Sequence, residues 1–243
     1  MHLRLIALGC TLTGALGFIA LPPVAARADG VVRPQVSISA PVTDTAYGSR
    51  VKFTVTMDPA ATNRRVTLYA APYGGQQQAV ATGEVNAQGK WYPTYLITRK
   101  TAFTVVPGGR ADTALNSARI TLGAYARVAN RITGYAKTTK ISGVSYDVFR
   151  GNSTLMLYST VTPGKHGECL EPETEQYDSA TGWDADTKYG CDALDSASHD
   201  TAPFSLNLAV GDRYRIRGDY QHGATDLANL NEQGPWVYFV VAK

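Results

Sequence analysis

Cysteine is scarce, three in 243 residues, which excludes a small scaffold stapled by many disulfides. No CxxC pair and no Cys/His ligand spacing occurs, so no metal or other cofactor is implied. Periodicity of 3.6 residues finds no convincing match after the N-terminal leader, which argues against a helical fold. An excess of one charge is missing too. The chain carries 23 Lys and Arg against 20 Asp and Glu, far from the basic footprint of a dedicated nucleic-acid binder. Long apolar runs are confined to the first two dozen residues, so no segment of the mature chain is long and apolar enough for a membrane helix. Catalytic patterns are likewise absent. Of the histidines beyond the leader, His166, His199 and His222, none sits in HExxH or beside a Gly-x-Ser-x-Gly turn. Gly74-Gly75 and Gly108-Gly109 lack the strand-to-helix context of a phosphate loop. The expectation is a non-enzymatic protein, although the carboxylates between Glu168 and Asp200 are numerous enough to leave a glycosidase pair open.

What is present begins with an address label. Met1 to Arg4 is basic, Leu5 to Val24 is apolar, and Ala26-Arg27-Ala28 supplies small residues where a signal peptidase requires them. Residues 1–28 therefore read as a signal peptide, and the mature protein is expected outside the cell with no membrane attachment. Cys10 leaves with the leader. Cys169 and Cys191 remain, and in an oxidising exterior they are predicted to form one disulfide.

A period of two dominates the mature chain. Val51, Phe53, Val55 and Met57 alternate with Lys52, Thr54 and Thr56, the pattern of a strand with one buried face. Further strands are predicted over 64–72, 79–97 with a turn at Asn86-Ala87-Gln88-Gly89, 102–106, 118–128, 153–161, 204–208 and 212–220. Fourteen tyrosines favour the same conclusion. Phe53 with Leu157, Trp91 with Trp183, Phe103 with Tyr214 and Leu122 with Phe239 are offset by roughly a hundred residues, a degenerate internal repeat. The predicted class is all-β, with a first sandwich over 29–128 and a second over 129–243 that holds the disulfide.

Several features are candidates for contact with a partner. From Asp29 to Arg150 there are 15 Lys or Arg and 6 Asp or Glu, whereas from Gly151 to Lys243 there are 6 and 14. Ten of those acids lie between Glu168 and Asp200, as a solvated loop, a cation site or a docking surface. Arg213, Arg215 and Arg217 share one face of a strand that can answer these acids. Trp91, Trp183 and Trp236 are core or a platform for sugar rings. The stretch containing Val31, Val32, Arg33, Gln35, Val36 and Ile38 is either the first strand of its own domain or a strand lent to a partner.

The strings VTLYAAPYGG, VATGEVNAQGKW, ITRKTAFTVV, TVTPGKHGECLEPETEQYDSATGW and GDRYRIRGDY resemble the tandem immunoglobulin-like modules of secreted actinobacterial proteins, streptomycete ones included. The resemblance covers most of the mature chain and implies two immunoglobulin-like sandwiches, without catalytic residues. In organisation the chain is similar to the adaptor subunits of umbrella toxin particles. That resemblance implies an adaptor that joins other secreted proteins by strand donation. The alternative is binding to cell wall or carbohydrate.

Overall fold

The computed structural model describes residues 35–58, 65–108, 116–206, 208–224 and 226–243, with the side chains of 185 and 186 left aside. Residues 1–28, where a signal peptide is expected, and Val31, Val32 and Arg33 lie outside the described residues. Arg33–Lys243 forms one compact unit. Its first part contains β1 (Gln35–Ser39), β2 (Asp44–Ala46), β3 (Ser49–Lys52), β4 (Thr54–Asp58), β5 (Arg65–Pro72), β6 (Gln78–Glu84), β7 (Lys90–Trp91), β8 (Thr94–Ile97), β9 (Thr101–Pro107) and β10 (Ala118–Tyr125). Its second contains β11 (Arg127–Thr133), β12 (Lys137–Ile141), β13 (Val144–Arg150), β14 (Thr154–Thr162), β15 (Cys169–Asp178), β16 (Gly182–Lys188), β17 (Asp192–Ala193), β18 (His199–Ser205), β19 (Arg213–Gln221), β20 (Glu232–Gln233) and β21 (Val237–Ala242).

Both parts are immunoglobulin-like sandwiches wound the same way. In the first, β1-β4-β7 and the pair β3-β8 form one layer and β2-β10-β9-β5-β6 the other. In the second, β11-β14-β18 faces β12-β13-β21-β19-β15-β16. Each larger sheet contains one parallel pair at the corresponding place, β2 on β10 and β13 on β21. Three of the four repeat anchors therefore fall at equivalent places. Phe53 directly precedes β4 and Leu157 lies on β14, the middle strands of the two small layers, Phe103 and Tyr214 lie on β9 and β19, and Leu122 and Phe239 lie on β10 and β21. Trp91 and Trp183 do not correspond: Trp91 is on β7 of the small layer and Trp183 on β16 of the larger sheet.

The alternation in Val51 to Met57 aims four side chains into one core, each 5% exposed or less. The partner of this stretch changes midway, from β8 to β7, because Pro93 cannot donate to the ladder. Phe53 N–H bridges the gap by donating to the Pro93 carbonyl at 2.8 Å. The predicted turn at Asn86 is built as expected. Asn86 Oδ1 accepts from the N–H groups of Gln88 and Lys90, at 3.0 and 2.9 Å. Gly89 has φ +70°, and a Cβ there would lie 2.4 Å from the Met57 carbonyl oxygen, so only glycine fits.

The expected strand over 118–128 is two strands. β10 ends at Tyr125 and β11 begins at Arg127, and β11 pairs with β14 of the second sandwich. The crossover falls at Ala126, which leaves a single residue between the last strand of one sandwich and the first of the next. The charge asymmetry contracts accordingly. With the boundary at Ala126, the part from Asp29 has 10 Lys or Arg and 5 Asp or Glu, and the part from Arg127 has 11 and 15.

Candidate functional site

Two places concentrate polar chemistry, the outer face of the second sandwich and the seam between the sandwiches. On the outer face, the register of β15 against β19 sets Glu173 opposite Arg217 and Glu175 opposite Arg215. Because strand side chains alternate, all four project on the side away from Tyr214 and Ile216, which are core. Arg217 donates to Glu173 Oε2 from Nε and Nη2, at 3.0 and 2.6 Å, and its Nε lies 3.1 Å from Asp219 Oδ2. Arg215 Nε donates to Glu175 Oε2 at 2.7 Å. The arginine face therefore answers the acidic run within its own sheet.

Aromatic rings cover these ion pairs. The Arg213 guanidinium sits 3.5 Å from the Tyr177 ring centre, Arg215 4.7 Å from Trp183 and 4.3 Å from Trp236, and Arg217 4.1 Å from Trp236. Trp183 also meets Tyr177 and Tyr238 edge to face, at 5.3 and 5.6 Å. Such stacks of guanidinium on ring are favourable and hold the rings in fixed orientation. Trp183 and Trp236 are half-buried, so each still offers ring surface to solvent. Trp91 is different. It packs against the first core, and a Cβ on Gly83 would come 2.3 Å from its Nε1, so the indole lies directly on that glycine.

The seam is made by the segment between β19 and β21, which turns back over the first sandwich. Lys100 N–H donates to the Ala228 carbonyl at 2.7 Å, Leu230 N–H to Ala124 O at 2.8 Å, and Ala126 N–H to Leu230 O at 3.1 Å. Asn229, 1% exposed, donates from Nδ2 to the carbonyls of Thr98 and Ala124 at 3.1 and 3.3 Å. Leu230 packs over Gly123, where a Cβ would meet its Cδ1 at 2.9 Å.

The same segment is anchored at its root. Asp226 pairs with Lys165, which is 4% exposed, and also receives the Tyr220 hydroxyl at 3.4 Å. Burial works against the Asp226 carboxylate, but these donors win and hold its pKa below the ordinary value. Asp219 Oδ1 accepts from Gly234 N–H at 2.9 Å. Asp219 is 2% exposed, and burial pushes its pKa to about 6 despite Arg217 beside it. A polar groove of roughly 580 Å³ runs along the seam between Tyr47, Arg127 and Glu232. Burial raises the Glu232 carboxyl there.

Cys169 and Cys191 form the expected disulfide, with Cα atoms 5.3 Å apart. Gln35, Val36 and Ile38 lie on β1, which pairs antiparallel with β4, and Val36 and Ile38 pack on the first core. Of that stretch, the residues from Gln35 on are the first strand of their own domain. The acids between Glu168 and Asp200 are dispersed from the turn before β15 to β18, and no group of three His, Cys, Asp or Glu among the described residues is arranged to hold a metal. Nor is any helix among them long and apolar enough to cross a membrane. Asn229, Leu230 and the Lys165–Asp226 pair went unanticipated, because the segment holding Asp226, Asn229 and Leu230 has no periodicity and Lys165 lies in the turn before β15.

No protein-family model matches the chain, and no curated protein matches it. A similar solved structure is the tetra-tandem repeat in the extending region of a large adhesion protein. Identity is 14% and the TM-score 0.38, over 86% of this chain and 49% of that one. The chain thus spans about half the length of the structure it matches.

Proposed function

We propose that this protein is a secreted, non-enzymatic adaptor whose two sandwiches form one stiff body that joins other secreted proteins. The seam carries this reading. A one-residue crossover at Ala126 together with backbone bonds from Leu230 and Ala228 to the first sandwich leaves little freedom for hinging, unlike a pair of domains on a flexible linker. Such a body holds whatever binds its two ends at fixed separation. Its attachment to one partner uses the stretch before β1, with Val31, Val32 and Arg33, since β1 itself is taken by β4. Affinity purification of the tagged mature protein from the culture supernatant of its source tests this. Stoichiometric recovery of other secreted proteins, lost on deleting residues 29–34, is expected; recovery of the protein alone contradicts it.

A second reading rests on the half-buried rings of Trp183 and Trp236, which guanidinium stacking fixes in place. These are suited to sugar rings, so the second sandwich binds a cell-wall or other polysaccharide. Sedimentation with peptidoglycan, chitin or cellulose, reduced in Trp236→Ala, supports that reading. If none of the three carries the protein down, it is discarded.

A further inference from the structure

The second sandwich is open along one side. Strand β18 pairs with β14 and, among the described residues, with no other strand; His199 at its start exchanges hydrogen bonds with Asp195, and from Thr201 to Ser205 no strand covers the outer edge. Pro203 lies within β18, and proline in a sheet belongs on an edge. Between this edge and β15 runs a cleft with two contrasting ends. One is an apolar cavity of roughly 260 Å³ that reaches core side chains including Leu155, Ile216 and Phe239. The other is bordered by Asp192 and Asp200. Tyr189, Pro203 and Phe204 line both ends, and the rings of Tyr189 and Phe204, packed 4.8 Å apart, stand between them.

The acidic end is short of positive charge. Asp200 Oδ2 is buried without a hydrogen-bond partner, a costly arrangement for a carboxylate. Its pKa is raised first by burial and next by the Asp192 carboxylate, with Asp195 adding to the repulsion. An arriving cation would relieve both effects. An apolar pocket that opens into the core exposes surface that a side chain can bury.

We infer that this cleft accepts an extended segment of a partner protein, added to the free edge of β18, with an apolar side chain in the cavity and a lysine or arginine beside Asp200. The inference rests on the protein-binding reading and names the chemistry of one partner. Backbone pairing to an edge strand supplies sequence-independent affinity, and alternate side chains supply selectivity. Asp200 and Phe204 are four residues apart on one strand face, which sets the two anchors of the segment about 13 Å apart and four residues from each other.

The test uses the purified mature protein and two synthetic nine-residue peptides, threonine-rich, with phenylalanine and, four residues away, either lysine or glutamate. Fluorescence anisotropy is expected to show the lysine peptide binding about tenfold more tightly than the glutamate peptide. Asp200→Asn, which keeps the side-chain shape, should reduce that preference to about twofold or less. Amide shift changes on binding should follow β18 and Tyr189. Absence of binding by either peptide, equal binding of both, or shift changes confined to another face overturns the inference. So does phenethylamine binding as tightly as the lysine peptide, which would make the cleft a small-molecule site. Since purified protein is used, this outcome is independent of whether supernatant partners are recovered, and the two readings fail separately.

Discussion

The two sandwiches share one winding and stabilise it differently. The first has a single apolar cluster that runs from Val51 to Ala124 and includes Phe53, Phe103 and, at its border, Tyr95. Phe103 lies 4.6 Å from Phe53 and 5.1 Å from Tyr95, ring centre to ring centre. The second has two clusters, one around Phe149, Tyr214 and Phe239 and one around Leu170, Leu194 and Tyr220. Polar groups lie along β11, β14 and β19 beside them: Ser159 donates to Asn130 Oδ1 at 2.8 Å, and Asn130 donates to the Gly218 carbonyl at 3.2 Å. The second sandwich also has the disulfide, the Arg–Glu ladder and the segment that clamps its neighbour. Topology is therefore preserved while the stabilising chemistry is exchanged. The copy with the divided core is the one with covalent and ionic reinforcement, and it is also the copy that makes the seam.

The largest test of this contrast is Phe53→Ala. Phe53 is fully buried at the centre of the undivided core, so the change should cost about 4 kcal/mol, read as a lower denaturation midpoint of the first sandwich. Next is removal of the disulfide by replacing Cys169 and Cys191 with serine. A crosslink with separation 22 corresponds to about 3 kcal/mol by the chain-entropy estimate, lost from the second sandwich and not from the first. Tryptophan fluorescence during urea unfolding, followed in single-Trp variants, separates the two.

A smaller loss is expected for Arg217→Ala, about 2 kcal/mol, because Glu173 and Asp219 are then left buried beside each other without their cation. Arg217→Lys should restore only part of it, since the bidentate contact to Glu173 needs the guanidinium fork.

The smallest effect is one of pH. The Asp219 pKa is raised to about 6 in the folded chain from an ordinary 3.8. The folded state therefore binds the proton more tightly than the unfolded state. Its contribution favours folding below about pH 4 and is lost as pH rises through about 6. Asp219→Asn, which can still accept from Gly234 N–H, should raise the Tm relative to wild type at pH 8, with the gain shrinking toward pH 5. A pH-independent difference contradicts this assignment.

Much of this fold was legible because strand alternation survives in the sequence. Arg213, Arg215 and Arg217 against Tyr214, Ile216 and Gly218 announced both the inner and outer faces of β19, and with them the ladder. What stayed hidden were changes that leave alternation intact. Leu122, Ala124, Ala126 and Val128 are all buried, so the chain passes from one core to the next without a break in period, and the boundary at Ala126 could not be seen. The partner switch at Phe53 is invisible for the same reason. Trp91 and Trp183 were matched by offset alone, and offset does not distinguish a residue lying on the core from one that faces Arg215. The clamp was illegible because its contacts are backbone bonds and one asparagine, which leave no hydrophobic pattern. Its faint trace is Leu230, one of two leucines, with Leu227, in a largely polar stretch between β19 and β21.

The central claim is that the sandwiches form one stiff body. Nitrogen-15 relaxation of the mature protein measures this directly, through the rotational diffusion of amides in each half. A single elongated diffusion tensor should fit β5, β9 and β10 together with β14, β15 and β19. Two separate tensors, each with the faster tumbling of one sandwich, would contradict it.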